Sequence, residues 1–111
     1  MIEDRFVDQI SALVGAKPAQ IKVAIELFDR GSTIPFVARY RKDATGNLDE
    51  VKLESIEALN TQFIAFTNRR NAILENVEKQ GKLTPELKKQ IEACSDVVIL
   101  EDLYLPFKKA R

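Results

Sequence analysis

The chain contains no histidine, and that absence excludes much of the chemistry a small domain could perform. Histidine is the commonest general base near neutral pH and the commonest metal ligand. Cysteine is almost missing as well: Cys94 stands alone, so no internal disulfide and no structural zinc site can be built. Its single thiol reads as a small buried side chain rather than a nucleophile. A charge of one sign is also lacking, because 17 Lys+Arg balance 17 Asp+Glu. No overall field therefore steers the protein towards polyanions, and any nucleic-acid surface must be a local patch. Long apolar runs are missing too. "IPFVA" and "VVIL" fall far short of the ~20 residues a bilayer span needs, and the acidic start Met-Ile-Glu-Asp-Arg is unlike a signal peptide. A cytoplasmic protein without a membrane segment is expected. No glycine-rich phosphate loop, serine nucleophile elbow or zinc spacing occurs, so no enzymatic activity, metal or cofactor is expected.

What is present is a helical pattern over 111 residues, long enough for one domain with a real core. Ile2, Phe6, Ile10, Leu13 and Val14 recur at helical spacing and stop at Gly15. Pro18 suits the first turn of a second helix, with Ile21, Ala24, Ile25 and Phe28 as its stripe and Gly31 just past its end. Glu26 and Arg30 stand in the favourable order for an i,i+4 pair. Ser32 or Thr33 can cap a short third helix with Pro35 near its start. Phe36, Ala38 and Tyr40 also alternate as a strand would, but Pro35 disfavours a strand. In "ATGNLDE", Gly46 and Asn47 supply a turn and Asp49 an N-cap.

From Asp49 to Gln80 neither proline nor glycine interrupts the chain. Ile56, Leu59, Phe63, Phe66, Ile73 and Val77 hold a helical stripe, and Gly81 ends it. About thirty residues at ~1.5 Å each make a helix of roughly 45 Å, long beside a domain radius near ~13 Å. The helix either bends near "FTNRRN" or serves as a strut, and the absence of breakers favours the strut. "LTPEL" restarts the pattern with Thr84 as cap, Leu87, Ile91 and Cys94 facing inward. A last helix is expected from Ser95 or Asp96 to about Tyr104, before Pro106. The expectation is an all-α fold: a helix-turn-helix-like part over 1–47, a long central helix over 48–80 and C-terminal helices over 83–105.

The stretch "TIPFVARYRKD" stands out. From Arg30 to Lys42 there are four cations and no carboxylate. On a helix starting at Pro35, steps of about 100° place Phe36, Val37 and Tyr40 on one face. They set Arg39 and Lys42 on the other face, with Arg41 at the margin. The aromatic face should dock on the first two helices and the cations should project towards phosphate. The competing reading makes these arginines structural, either ion-paired with Asp29, Asp43, Asp49 and Glu50 or gripping helix-end carbonyls. Arg69 and Arg70, beside Asn68 and Asn71, form a second cluster on the long helix. Neighbouring helical residues diverge by about 100°, so these two cannot form one tight clamp and suit a solvated or interdomain face. Lys108, Lys109 and Arg111 add a cationic tail. Glu101 with Asp102, and Glu50 with Glu54, read as solvated faces. Leu103, Leu105 and Phe107 seek an apolar partner that the remaining sequence does not supply, as expected for a fragment of a longer protein.

Three phrases carry a family resemblance: "TIPFVARYRKDATGNLDE", "NRRNAILENVEKQGKLTPELKKQIEA" and "LEDLYLPFKKAR". From Ile21 to Arg111 the chain resembles the amino-terminal helical region of bacterial Tex-type transcription accessory proteins. Asp43 stands where glutamate is usual, Asn47 where a second glycine is common, and Phe107 where tyrosine is frequent. Asparagine tolerates the left-handed conformation, so the turn at Asn47 should survive. The first twenty residues carry no specific match. The resemblance implies a much longer protein, related to a eukaryotic elongation factor, with RNase-H-like, helix-hairpin-helix and OB-fold RNA-binding parts downstream. It implies nucleic acid as partner of the full-length protein, and the transcription machinery beside it. Two functions follow as expectations. The domain contributes to RNA or DNA binding through Arg39, Arg41, Lys42, Arg69 and Arg70, or it is a scaffold or protein-docking module without direct nucleic-acid contact.

Overall fold

The computed structural model describes residues 1–108; Lys109 and Arg111 of the cationic tail lie outside the described residues. The described residues form seven α-helices and a terminal 3₁₀ turn, with no strand. In order these are α1 (Asp4–Val14), α2 (Pro18–Asp29), α3 (Ile34–Tyr40), α4 (Lys42–Thr45), α5 (Glu50–Lys79), α6 (Pro85–Ala93), α7 (Val97–Tyr104) and the turn Leu105–Phe107. The all-α expectation holds, and the alternating Phe36, Ala38 and Tyr40 lie in a helix. Two compact units divide the chain at Ile64, within α5. The helix assignment runs unbroken through Thr67–Asn71.

In the first unit α1 packs on α2, and α2 packs in turn on α3 and α4. Phe6, Val7, Ile10, Ile21, Ala24 and Ile25 are buried, joined by Leu53 and Ile56 from α5. Phe6 stacks on Phe63 with ring centroids 4.5 Å apart and planes 14° from parallel, which ties α1 to α5. Leu13 departs from the expected stripe. It is 70% exposed, whereas Val7 takes a core position. Leu13 lies in the last turn before Gly15, where α1 ends and the core no longer faces it.

Short-range chemistry sets the helix ends. Past α2 the Ser32 N–H donates to the Leu27 carbonyl at 3.0 Å and the Gly31 N–H to the Phe28 carbonyl at 2.9 Å. That pair of bonds needs a left-handed residue, which Gly31 supplies at φ 90°. Thr33 caps α3 by accepting from the Phe36 N–H at 3.3 Å. Asp49 caps α5 by accepting from the Lys52 N–H at 2.8 Å. Asn47 is left-handed, φ 67°, as the turn requires.

In the second unit Ile73, Val77, Ile91 and Leu100 are buried. Thr84 accepts from the Leu87 N–H at 3.1 Å and Asp96 from the Val98 N–H at 2.8 Å, so α6 and α7 each begin on a side-chain cap. Asn76 Oδ1 accepts from Tyr104 Oη at 2.9 Å and from Gln80 Nε2 at 2.7 Å. Gln80 Nε2 also donates to the Phe107 carbonyl at 2.9 Å, which secures the terminal turn against the end of α5. Leu105, by contrast, stays exposed.

Candidate nucleic-acid interface

The basic stretch is presented by a short helix held by little. Val37 is fully buried, Ile34 and Ala38 are half-buried, and these side chains seat α3 against its neighbours. Phe36 and Tyr40, expected to anchor inward, do not: they are 39% and 62% exposed. A seven-residue helix has room to bury one narrow stripe, and Ile34, Val37 and Ala38 occupy it. The aromatic pair at i,i+4 is thereby turned towards solvent.

The helix also ends sooner than periodicity suggests. Arg41 leaves the helical region at φ −125°, ψ 29°, and Lys42 opens the separate one-turn helix α4. The tertiary reason lies at Thr45 and Leu48, both buried. Thr45 Oγ1 accepts from the Leu48 N–H at 3.4 Å, and α4 packs on α2. Continuing α3 straight through would carry Thr45 away from that contact. From α2, Gln20 Nε2 donates to the carbonyls of Thr45 at 2.9 Å and Gly46 at 3.1 Å, while its Oε1 accepts from the Lys17 N–H at 2.8 Å. Gly46 is left-handed at φ 69°, which favours glycine, and a Cβ there would lie 2.5 Å from Gln20 Nε2 and push that amide off the two carbonyls.

Arg39, Arg41 and Lys42 are all exposed. Among the described residues, none of the three lies within ion-pair distance of a carboxylate, and Asp29, Asp43, Asp49 and Glu50 do not act as their partners. Arg41 instead lays its guanidinium over the Phe36 ring, 5.0 Å from the centroid, and donates from Nη1 to the Tyr40 carbonyl at 3.2 Å. Phe36 and Tyr40 sit with ring centroids 5.4 Å apart, tilted by 48°. The result is a small surface of two rings and three cations.

The second cluster is built differently. Arg69 grips Glu101 with two bonds, Nε to Oε2 at 2.7 Å and Nη2 to Oε1 at 2.9 Å. The guanidinium lies 5.4 Å from the Tyr104 ring centroid, and Lys108 Nζ approaches Glu101 at 3.5 Å. The Arg69 hydrogen bonds hold the Glu101 carboxyl far below the usual carboxylate range, at about 2, and the arginine is correspondingly harder to deprotonate. Glu101, expected on a solvated face, is a structural partner. Arg70, the next residue on α5, is half-buried. No sequence signal pairs Arg69 with a residue 32 positions away.

Among the described residues, no group of three or more Cys, Asp or Glu side chains is placed to hold a metal, and no helix is long and apolar enough to cross a membrane. Fold and site together define an all-helical domain that displays a basic, aromatic surface. A family model for the Tex-like protein N-terminal domain matches residues 4–78, and the chain belongs to that family. It is 43% identical over 111 residues, all of this chain, to "Protein YhgF" of Escherichia coli. It is 44% identical over 102 residues, 92% of the chain, to "Transcriptional accessory protein Tex" of Neisseria gonorrhoeae. Human "S1 RNA-binding domain-containing protein 1" is 31% identical over 84 residues, 76% of this chain and 8% of that protein. The chain spans 14% of the length of each of the two bacterial relatives. The first helix, which carried no recognised resemblance, lies within the family match.

Proposed function

We propose that this domain contributes to nucleic-acid handling by a transcription accessory protein through the surface formed by Arg39, Arg41 and Lys42. The observation that carries this reading is their exposure without a carboxylate partner among the described residues. Cations on a folded surface usually find an acid nearby when their role is structural, as Arg69 finds Glu101 and Arg30 finds Glu26 at 2.8 Å. Unpaired cations on one short segment suit a phosphate backbone, whose neutralisation releases counterions and makes binding salt-dependent. The names of two relatives, one a transcriptional accessory protein and one containing an RNA-binding domain, fit this assignment. Arg69 is assigned to internal pairing instead. The domain binds rather than catalyses, in the cytoplasm, and the downstream parts of a longer protein share the work.

The test is the salt dependence of RNA and DNA binding by the full-length protein. Arg39→Ala with Lys42→Ala should lower the slope of log K against log salt by about one unit per lost phosphate contact. Unchanged affinity with an unchanged slope would refute the assignment. That second outcome is what a scaffold expects, and one observation favours a scaffold role: Val97, Val98, Ile99 and Leu105 are exposed together on and after α7. Exposed apolar side chains concentrated in one short segment suit packing against another part of the protein.

A further inference from the structure

We infer that the surface around α3 receives unpaired nucleobases, so that its ligand is single-stranded rather than duplex nucleic acid. The inference rests on the proposed phosphate contacts and adds the role of the two rings. Phe36, Arg39 and Tyr40 share the solvent side of α3 at i, i+3 and i+4. Arg41 folds its guanidinium onto Phe36, and Lys42 follows at the start of α4. Rings and cations thus alternate along one short segment.

A purely phosphate-binding surface needs the cations and has no use for exposed rings. A duplex conceals its base faces within its own stack, so rings on the protein find nothing to stack against. A single strand presents both faces of each base beside its phosphates, and interleaved aromatics and cations suit that combination. The exposure of Phe36 and Tyr40 fits the same reading. Leaving two aromatic rings in water forfeits burial energy that α3 could have gained by a different choice of residues. Beside Phe36 an open hollow of about 320 Å³ is lined by Arg30, Gly31, Ser32 and Thr33. It is shallow and open to solvent, so the edge of the Phe36 ring stays accessible from that side.

The test compares three fluorescent probes of one length on the full-length protein: a pyrimidine single strand, the same strand with abasic sites, and the duplex. Phe36→Leu with Tyr40→Leu keeps apolar bulk and removes the π faces; Tyr40→Leu alone provides a variant at the more exposed ring, and circular dichroism checks the fold. Stacking predicts that the double variant weakens single-strand binding about tenfold or more, since each stacked base contributes ~1–3 kcal/mol. Abasic and duplex binding should stay within about twofold, with salt slopes unchanged. Equal weakening of all three probes, or of none, overturns the stacking role. Arg39→Ala with Lys42→Ala is measured alongside. If that variant lowers the salt slope while the leucine variants do nothing, the phosphate surface stands and the single-strand inference falls. If neither variant changes binding of any probe, both readings fall and the exposed rings belong to a protein contact.

Discussion

Two arginine clusters of similar appearance in the sequence have opposite surroundings in the fold. Arg69 on α5 holds Glu101 in a two-bond grip, beside Tyr104 and Lys108. Arg39, Arg41 and Lys42 have no carboxylate partner among the described residues, and the guanidinium of Arg41 rests on an aromatic ring instead. The difference teaches that an arginine run states a capacity, either bidentate pairing or phosphate contact, and that its neighbours in space select between them. On the proposed function, the α5 cluster contributes to stability and the α3 cluster to binding.

The largest effect on stability should come from the anchor that presents the α3 cluster. Val37→Ala removes the one fully buried side chain of that helix and should cost about 2 kcal/mol in a urea melt. A loss below about 0.5 kcal/mol would mean that α3 is held by something other than this contact.

A smaller effect is expected at Arg69. Arg69 is exposed and only Glu101 is half-buried, so solvent screens the pair and Arg69→Ala should cost only about 0.5–1 kcal/mol at neutral pH. Its pH dependence carries a sign. Glu101 has its folded value lowered to about 2, beneath the ordinary ~4.3, so its contribution is present above the ordinary value and is lost as pH falls towards 2. Melts of the native protein and the variant should therefore converge as pH drops from about 4.5 to about 2. A deficit independent of pH over that range would assign the loss to packing on Tyr104 instead of to charge.

The smallest effect sharpens the contrast. Arg39→Ala with Lys42→Ala should shift stability by no more than about 0.5 kcal/mol, as surface substitutions do. A cost as large as that of Arg69→Ala would erase the distinction between the clusters and make both structural.

Much of the secondary structure was legible because its determinants lie within a few residues. Thr33, Asp49, Thr84 and Asp96 each accept a backbone N–H two or three residues on, so a cap can be read from local spacing. Phe6, Ile25, Ile56, Ile73 and Ile91 fell on buried faces because periodicity alone identifies the apolar side of a helix. The site was less legible. Periodicity joined Phe36 and Tyr40 to Val37 as one inward face, yet a seven-residue helix buries the Ile34, Val37 and Ala38 side and leaves the rings outside. The break at Arg41 depends on seating Thr45 against α2, a contact no local pattern announces.

The sequence by itself determined an all-helical chain, the starts and stops of most helices, and membership of the Tex-like family, because backbone hydrogen bonding and capping are short-range. Tertiary structure alone decided which cations are paired and which rings are exposed. Arg69 meets a carboxylate 32 residues away through the path of the chain, while Arg39, Arg41 and Lys42 meet none among the described residues. Whether a charge is neutralised depends on what lies within about 4 Å of it, and that distance is set by packing rather than by position along the chain.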